Sequence, residues 1–394
     1  MRRAAVLEGL RMLKLRDVMG RWEADALSQL EAAELLGVNE RTFRRWVRRY
    51  EEAGEEGLID RRHGRKSGRA VPASDAEEVE RLYRERYARL TAKHFHEYLR
   101  ATHHVEWSYT WTKNFLQRRG LLARAPRRGA HRRKRPRRPL VGMMIHQDAS
   151  KHMWLRSLGP LDLVVTMDDA TSEIYSAFLV EEEGTMSTFT GLIETIAAKG
   201  LFCSFYTDRG SHYFLTPTVG GKVAKDTLTQ VGRALAHLGV EHIPAYSPEA
   251  RGRSERMFRT LQDRLPKDLV LAGIDDIETA NRYLRETYLA QHNARFAVQA
   301  AEAGSAFVPV SQAQWRDVLC VHEDRKVAPD NTVAWNSRRL QIPQQTSRAH
   351  YVQASVSVRT YPNADVAIFH GPRCLMRWSA DQIENMPISK RTAA

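Results

Sequence analysis

The chain has 394 residues, with 61 Lys plus Arg against 47 Asp plus Glu and a formal charge of +14, a length that holds about two to four domains and at least one sizeable core. So basic a balance points to a polyanionic partner, nucleic acid before membrane, because neutralising phosphates releases condensed counterions; an ordinary basic cytosolic protein is the other reading that charge alone leaves open. Three cysteines far apart (Cys203, Cys320, Cys374) exclude a disulfide framework or a cysteine-rich zinc site, and no run reaches the ~18–20 apolar residues of a membrane span, so a soluble protein of a reducing compartment is expected.

In chain order, Glu8, Arg11, Lys14 and Arg16 interrupt the apolar stretch behind Met1-Arg2-Arg3, which only imitates a signal segment. Ser28-Gln29-Leu30-Glu31 is a capping box, in which hydroxyl and carboxylate satisfy free amides at a helix start. A short helix through Leu35 and Leu36 follows, with Gly37 where a left-handed cap belongs. Asn39 then caps a second helix with Phe43, Trp46, Val47 and Tyr50 on one face and Arg41, Thr42, Arg44, Arg45, Arg48 and Arg49 on the other. Helix, glycine turn and basic amphipathic helix make a helix-turn-helix, whose second helix enters the major groove. The bland alternative is a helical hairpin with a solvated basic face.

A second such unit is expected from helices over Asp75–Tyr87, Thr91–Ala101 and Ser108–Arg119, with Phe95, Tyr98, Leu99, Trp111, Phe115 and Leu116 as its core and an Arg-, Gly- and Ser-rich linker, 59–71, before it. His94, His96, His103 and His104 form HxH and HH pairs, but no cysteine pair lies near to complete a zinc site, so surface or helix-end histidines are expected. Between Arg124 and Arg138 stand nine Arg or Lys, among them Arg127, Arg128, Arg132, Arg133, Lys134 and Arg135. Such a segment does not fold alone and reads as a linker that tracks phosphates or a minor groove, or as a solvated tether.

After Pro139 the character changes. Met143–Asp148 is an apolar run ending in an acid, which suits a buried strand delivering a carboxylate. Strands are expected over 163–167 and 174–180, joined by a turn at Asp168-Asp169-Ala170-Thr171, then a helix over 185–199 and a strand over 201–206 with Asp208 just past its end. A fifth short strand is expected over 237–243, and a helix from about Ser254 with Met257, Phe258 and Leu261 inward. Glu255, Arg259 and Gln262, at i, i+4 and i+7, share its polar face. This is an α/β core with a mixed sheet. Carboxylates from two neighbouring strand ends and a packed helix suit two Mg²⁺ ions about 3.5–4 Å apart, which activate a nucleophile and relieve charge on a leaving oxygen.

Asp148 in HQDAS, Asp208 in YTDRGSHY and Glu255 in SPEARGRSERMFRTLQDRL resemble the three acid motifs of DDE transposases and retroviral-type integrases. The DDATS turn and the two helix-turn-helix units are similar to insertion-sequence transposases, particularly the ISNCY group. The resemblance implies a ribonuclease-H-like catalytic core, with Asp148, Asp208 and Glu255 as catalytic and metal residues. Two Mg²⁺ per site are implied, with Mn²⁺ able to substitute. It also implies double-stranded DNA as element ends and target, a homodimer or higher homo-oligomer, and a bacterial, nucleoid-associated cytoplasmic setting. One departure is that 46 residues separate Asp208 from Glu255, more than in compact members. The excess is expected between Phe214 and Leu228, where Pro217, Gly220 and Gly221 mark a loop; Glu249 is the rival third acid. Asp168 and Asp169 suit a hairpin turn or support the site from outside, and Asp162 and Asp263 are expected at the surface or ion-paired. His146 and His212 are expected as core or rim histidines, and Arg251, Arg253, Arg256 and Arg259 as grips on DNA near the scissile phosphate.

The helix over 284–295 closes the core, and strands over 332–335, 339–342, 355–358 and 366–369 suggest a small β-barrel. The chain is thus expected to be multidomain: all-α helix-turn-helix domains at 1–62 and 63–121, a basic linker at 122–140, an α/β core at 141–300, and a small β-barrel with tail at 301–394. The expected function is a DNA transposase that hydrolyses element ends and transfers a 3′-hydroxyl strand. The alternative is a catalytically silent DNA-binding regulator derived from one.

Overall fold

Capping and amphipathicity shape the first elements. A computed structural model describes residues 2–59, 71–124, 136–216, 223–224, 226–246, 252–345 and 348–388, and the chain divides into two units, Met1–Glu85 and Arg86–Ala394. In the first unit, α1 (Arg2–Glu23), α2 (Gln29–Leu36), α3 (Glu40–Leu58) and α4 (Ala73–Leu82) follow one another. Ser28 and Glu31 make the expected capping box, Asn39 Oδ1 accepts from the Thr42 amide at 2.8 Å, and Gly37 ends α2 at φ +67. No element is expected before Ser28, yet α1 is there. Its inward residues Leu15, Val18 and Met19 pack with Ala32, Ala33, Phe43 and Val47 into one core, and its dense charge hides that narrow stripe. The main run of α3 stops at Gly54, whose φ of +58 and ψ of −147 are not helical.

The second unit opens with α5 (Ala92–Ala101) and α6 (Tyr109–Arg118), capped by Thr91 and Ser108, with Phe95, Leu99, Phe115 and Leu116 buried. His94 and His96 are not surface residues: they are 1% and 7% exposed. His96 Nδ1 lies 3.2 Å from Thr112 Oγ1, and His94 Nε2 lies 2.9 Å from Asp268 Oδ1, an ion-pair distance without hydrogen-bond alignment.

The core is a five-stranded sheet in the order β3-β2-β1-β4-β5. Its strands are β1 (Ile145–His152), β2 (Leu161–Asp168), β3 (Ile174–Val180), β4 (Ser204–Thr207) and β5 (Glu241–Pro244); α7 (Thr185–Lys199) crosses from β3 to β4 and α8 (Gln230–Leu238) leads into β5. β2 runs antiparallel to both of its neighbours, β1 and β3, whereas β1, β4 and β5 pair in parallel. This is the mixed sheet the strand pattern predicts. Residues 237 and 238 end α8 rather than opening a strand, because Thr229 caps that helix and Gly239 closes it at φ +72. Asp162, expected at the surface or ion-paired, is buried and accepts the Glu183 amide at 3.0 Å.

Helices cover both faces, as apolar alternation in a buried sheet requires. On one, α9 (Gly252–Leu271), α10 (Ile277–Tyr283), a π-helical turn (Leu284–Tyr288) and α11 (Leu289–Phe296) follow in sequence, and Leu261, Leu265, Ala280 and Leu284 pack on Leu163, Val165 and Met167. On the other, Phe189 and Leu192 of α7 and Val231 and Leu235 of α8 meet Ile145 and Phe205. The α5 helix docks on α9: Arg264 pairs with Glu97 at 2.6 Å, and the Tyr98 hydroxyl donates to Asp268 at 2.9 Å.

After α12 (Gln312–Trp315), the strands are β6 (Val321–Lys326), β7 (Thr332–Trp335), β8 (Arg338–Gln341), β9 (Ser355–Thr360), β10 (Val366–His370) and β11 (Arg373–Trp378), then α13 (Ala380–Glu384). Where a small barrel is expected, the described strands form a sheet ordered β11-β10-β9-β6 and a separate β7-β8 hairpin, sharing one core through Val333, Leu340, Val358 and Ile368. No described helix is long and apolar enough to cross a membrane.

Candidate active site

Pairing length places the first acid. Parallel pairing of β1 with β4 covers only Ile145↔Phe205 and His146↔Tyr206, whereas β1 continues on β2 as far as His152↔Leu161. Asp148 therefore stands inside a strand, not at its end as the apolar run predicts. It has outrun β4, whose chain leaves the sheet at Asp208. Alternation puts His146, Asp148 and Ser150 on the face that α9 covers and Gln147 on the other. Glu255 lies in the first turn of α9.

Asp148, Asp208 and Glu255 thereby line one open cleft of about 720 Å³, together with Ser150, Arg209, Tyr246, Arg259 and Gln262. The i, i+4, i+7 face of Glu255, Arg259 and Gln262 meets it as a unit, and Gln262 Nε2 donates to Ser150 Oγ at 2.9 Å, fixing α9 against β1. Asp208 Oδ1 accepts the Gly210 amide at 2.8 Å. Arg209, which sequence reading passes over, lies 5.1 Å from the exposed Tyr246 ring; its one signal is its place directly after Asp208. Arg256 is exposed on α9 outside the cleft lining.

Two buried networks brace the acids. On the α7 side, Gln147 Nε2 donates to Thr166 Oγ1 at 2.9 Å and the Tyr213 hydroxyl donates to Gln147 Oε1 at 3.0 Å, linking the strand of Asp148 to the segment after Asp208. On the α9 side, the carboxylate of Asp169, fully buried, receives His146 Nε2 at 2.7 Å, the Arg138 amide at 2.7 Å and the Arg253 guanidinium. Burial alone would raise its pKa; the bonds from His146 and the Arg138 amide, with the charges of His146 and Arg253, hold it below the ordinary carboxylate range. Asp168, also fully buried, accepts the amides of Gly142 and Thr171. The turn acids are thus interior anchors, and Arg253, expected to grip DNA, points inward with a side chain 16% exposed. His146 is a core histidine; His212 packs on Tyr213, its pKa lowered by burial against an upward pull from Asp208.

In the first unit Arg41, Arg44, Arg45 and Arg48 are exposed along α3 and Thr42 is half-buried. Arg127, Arg128, Arg132, Arg133, Lys134, Arg135 and Arg251, like Glu249, Pro217, Gly220 and Gly221, lie outside the described residues.

A helix-turn-helix domain model matches residues 17–67. A protein of Sinorhizobium fredii, y4bF, named as a transposase, is 31% identical over 341 residues, 85% of this chain and 73% of its own length. The transposase for insertion sequence IS1202 of Streptococcus pneumoniae is 27% identical over 66% of this chain, which spans 63% of that relative. The chain belongs to the insertion-sequence transposase family. Among solved structures, the magnesium-bound HTLV-2 integrase catalytic core is 16% identical, with 38% of this chain and 89% of that one covered and a TM-score of 0.28. A simian T-cell lymphotropic virus intasome is 16% identical over 68% and 91%, with a TM-score of 0.32.

Proposed function

We propose that the chain is a DNA transposase that binds the terminal inverted repeats of a mobile element through helix-turn-helix domains at 1–62 and 63–121, hydrolyses the element's ends and joins the freed 3′-hydroxyl to target DNA. The observation that carries this reading is the meeting of Asp148, Asp208 and Glu255, from β1, the end of β4 and α9, in one polar cleft. The donors are hard carboxylate oxygens; among the described residues no group of three or more His, Cys, Asp or Glu side chains is placed to hold a metal ion. Mg²⁺ suits such a set, since it takes one or two carboxylates and completes its shell with water and phosphate oxygens. Two Mg²⁺ ions, or Mn²⁺ in their place, supply charge relief to the attacking and leaving oxygens when bound. Asp148, Asp208 and Glu255 would hold the ions through their carboxylates. Arg209 and Arg259, lining the same cleft, would bind flanking phosphates, and exposed Arg256 would extend that grip along α9. Arg41, Thr42, Arg44, Arg45 and Arg48 would face the major groove. Bringing two ends together requires at least a dimer.

The test is joining of oligonucleotides carrying the inverted repeats that flank the gene into a supercoiled plasmid, with Mg²⁺ or Mn²⁺. Wild type is expected to join them and Glu255→Gln to lose ~100-fold or more, since it removes a ligand. Equal joining by both would remove Glu255 from the site and bring Glu249 forward. Specific end binding without cleavage or joining would replace the enzyme reading with the regulator.

A further inference from the structure

We infer that Asp169 is a positioning residue that clasps α9 to β1 from below the cleft, so that Glu255 is held over Asp148. This rests on the transposase reading and concerns residues that reading leaves idle. The carboxylate has two oxygens and uses both on different elements. Oδ1 receives His146, two residues before Asp148 on β1, and Arg253, two residues before Glu255 on α9. Oδ2 receives the amide of Arg138, where the chain enters the core. The Arg137 guanidinium adds bonds to the Asp169 and Ala170 carbonyls at 2.9 and 3.1 Å.

Position explains why such a clasp matters. Glu255 lies in the first turn of α9, and first-turn amides lack intrahelical partners, so a helix start is where a helix frays. Arg253, in that same turn, is anchored to an acid that is itself fixed by β1. Moving a reacting group by about 1 Å costs on the order of a hundredfold in rate, so a clasp two residues from a metal-facing acid is felt in the chemistry. Asn at position 169 keeps the shape but loses the charge and turns one acceptor into a donor facing donors.

The experiment uses the full chain with Asp169→Asn, Arg253→Met and Arg253→Lys. Plasmid joining, binding to the oligonucleotide ends in EDTA, and hydrogen exchange of amides 252–258 are measured for each. Arg253→Met is expected to lose ~10–100-fold in joining, to bind ends within about twofold of wild type, and to exchange faster at 252–258. Arg253→Lys is expected to recover most of the joining. Asp169→Asn is expected to behave as Arg253→Met; if it does not fold, the Arg253 pair decides alone. Joining by Arg253→Met at the wild-type rate, or unchanged exchange at 252–258, overturns the inference. So does end binding that falls in step with joining, which would make Arg253 a DNA grip. Failure of wild type to join any end overturns the transposase reading instead, and the exchange comparison still decides the clasp.

Discussion

At the scale of single residues, the acids that do not reach the cleft are as informative as those that do. Asp168 and Asp169 sit in a DDATS turn, and turn chemistry alone accounts for acids there; only the fold shows both to be fully buried and saturated with donors. Gln147 carries no signal in the sequence beyond its neighbour Asp148. Its amide fits because Gly191 lacks a side chain: a Cβ there would stand 2.4 Å from Gln147 Nε2 and 2.7 Å from Thr166 Oγ1. The hydroxyl of Tyr213, 3% exposed, completes this network. Tyr213→Phe strands the Gln147 carbonyl oxygen in the interior, and an unmet buried acceptor costs about 1–3 kcal/mol. The expected result is a lower urea midpoint with an unchanged slope, which marks a loss of stability rather than of compactness. A midpoint equal to wild type would mean that the hydrogen bond contributes nothing.

Elements were legible where a local device sets them and obscure where tertiary pairing does. Capping residues announced α2 and α3, and β3 and α7 fall where their apolar periods predict. The two C-terminal strands that sequence reading misses, β6 and β11, are both edges of their sheet. Edge strands carry charge that blocks further pairing, and His322 to Lys326 is polar throughout while Arg373 and Arg377 lie within β11, so the apolar alternation is too weak to read. Strand pattern also says nothing of closure, hence an expected barrel and an observed sheet with a hairpin. The capping box itself is testable: Ser28→Ala removes the acceptor for the Glu31 amide and should cost ~1 kcal/mol of helix stability. Hydrogen exchange at residues 29–36 should quicken several-fold, with β1 and β2 unaffected. Identical protection of α2 in both proteins would show that packing of Ala32 and Ala33, not the cap, holds the helix.

For the whole molecule, the three acid motifs were legible because spacing and order survive in sequence, while the braces behind them come from residues whose partners lie far along the chain. The same distance hides the titration behaviour of the Arg86–Ala394 unit. Burial, together with neighbouring positive charge, lowers the pKa of His242 to about 3, and of His292 and His322 to about 4. Each is neutral in the folded unit at pH values where the unfolded chain, with an ordinary histidine pKa near ~6.5, takes up a proton. The unfolded state then binds more protons, so stability is complete above about pH 6.5 and falls as pH drops toward 4. His292, 5% exposed with Nδ1 buried and without a hydrogen-bond partner, should contribute on the order of 3 kcal/mol across that window. Urea midpoints of wild type should therefore decline steadily from pH 7 to 5, and those of His292→Gln should decline less. Parallel slopes for the two proteins would mean that His292 is already solvated or charged in the folded unit, and the packing of α11 on the sheet would have to be looser than its buried contacts require.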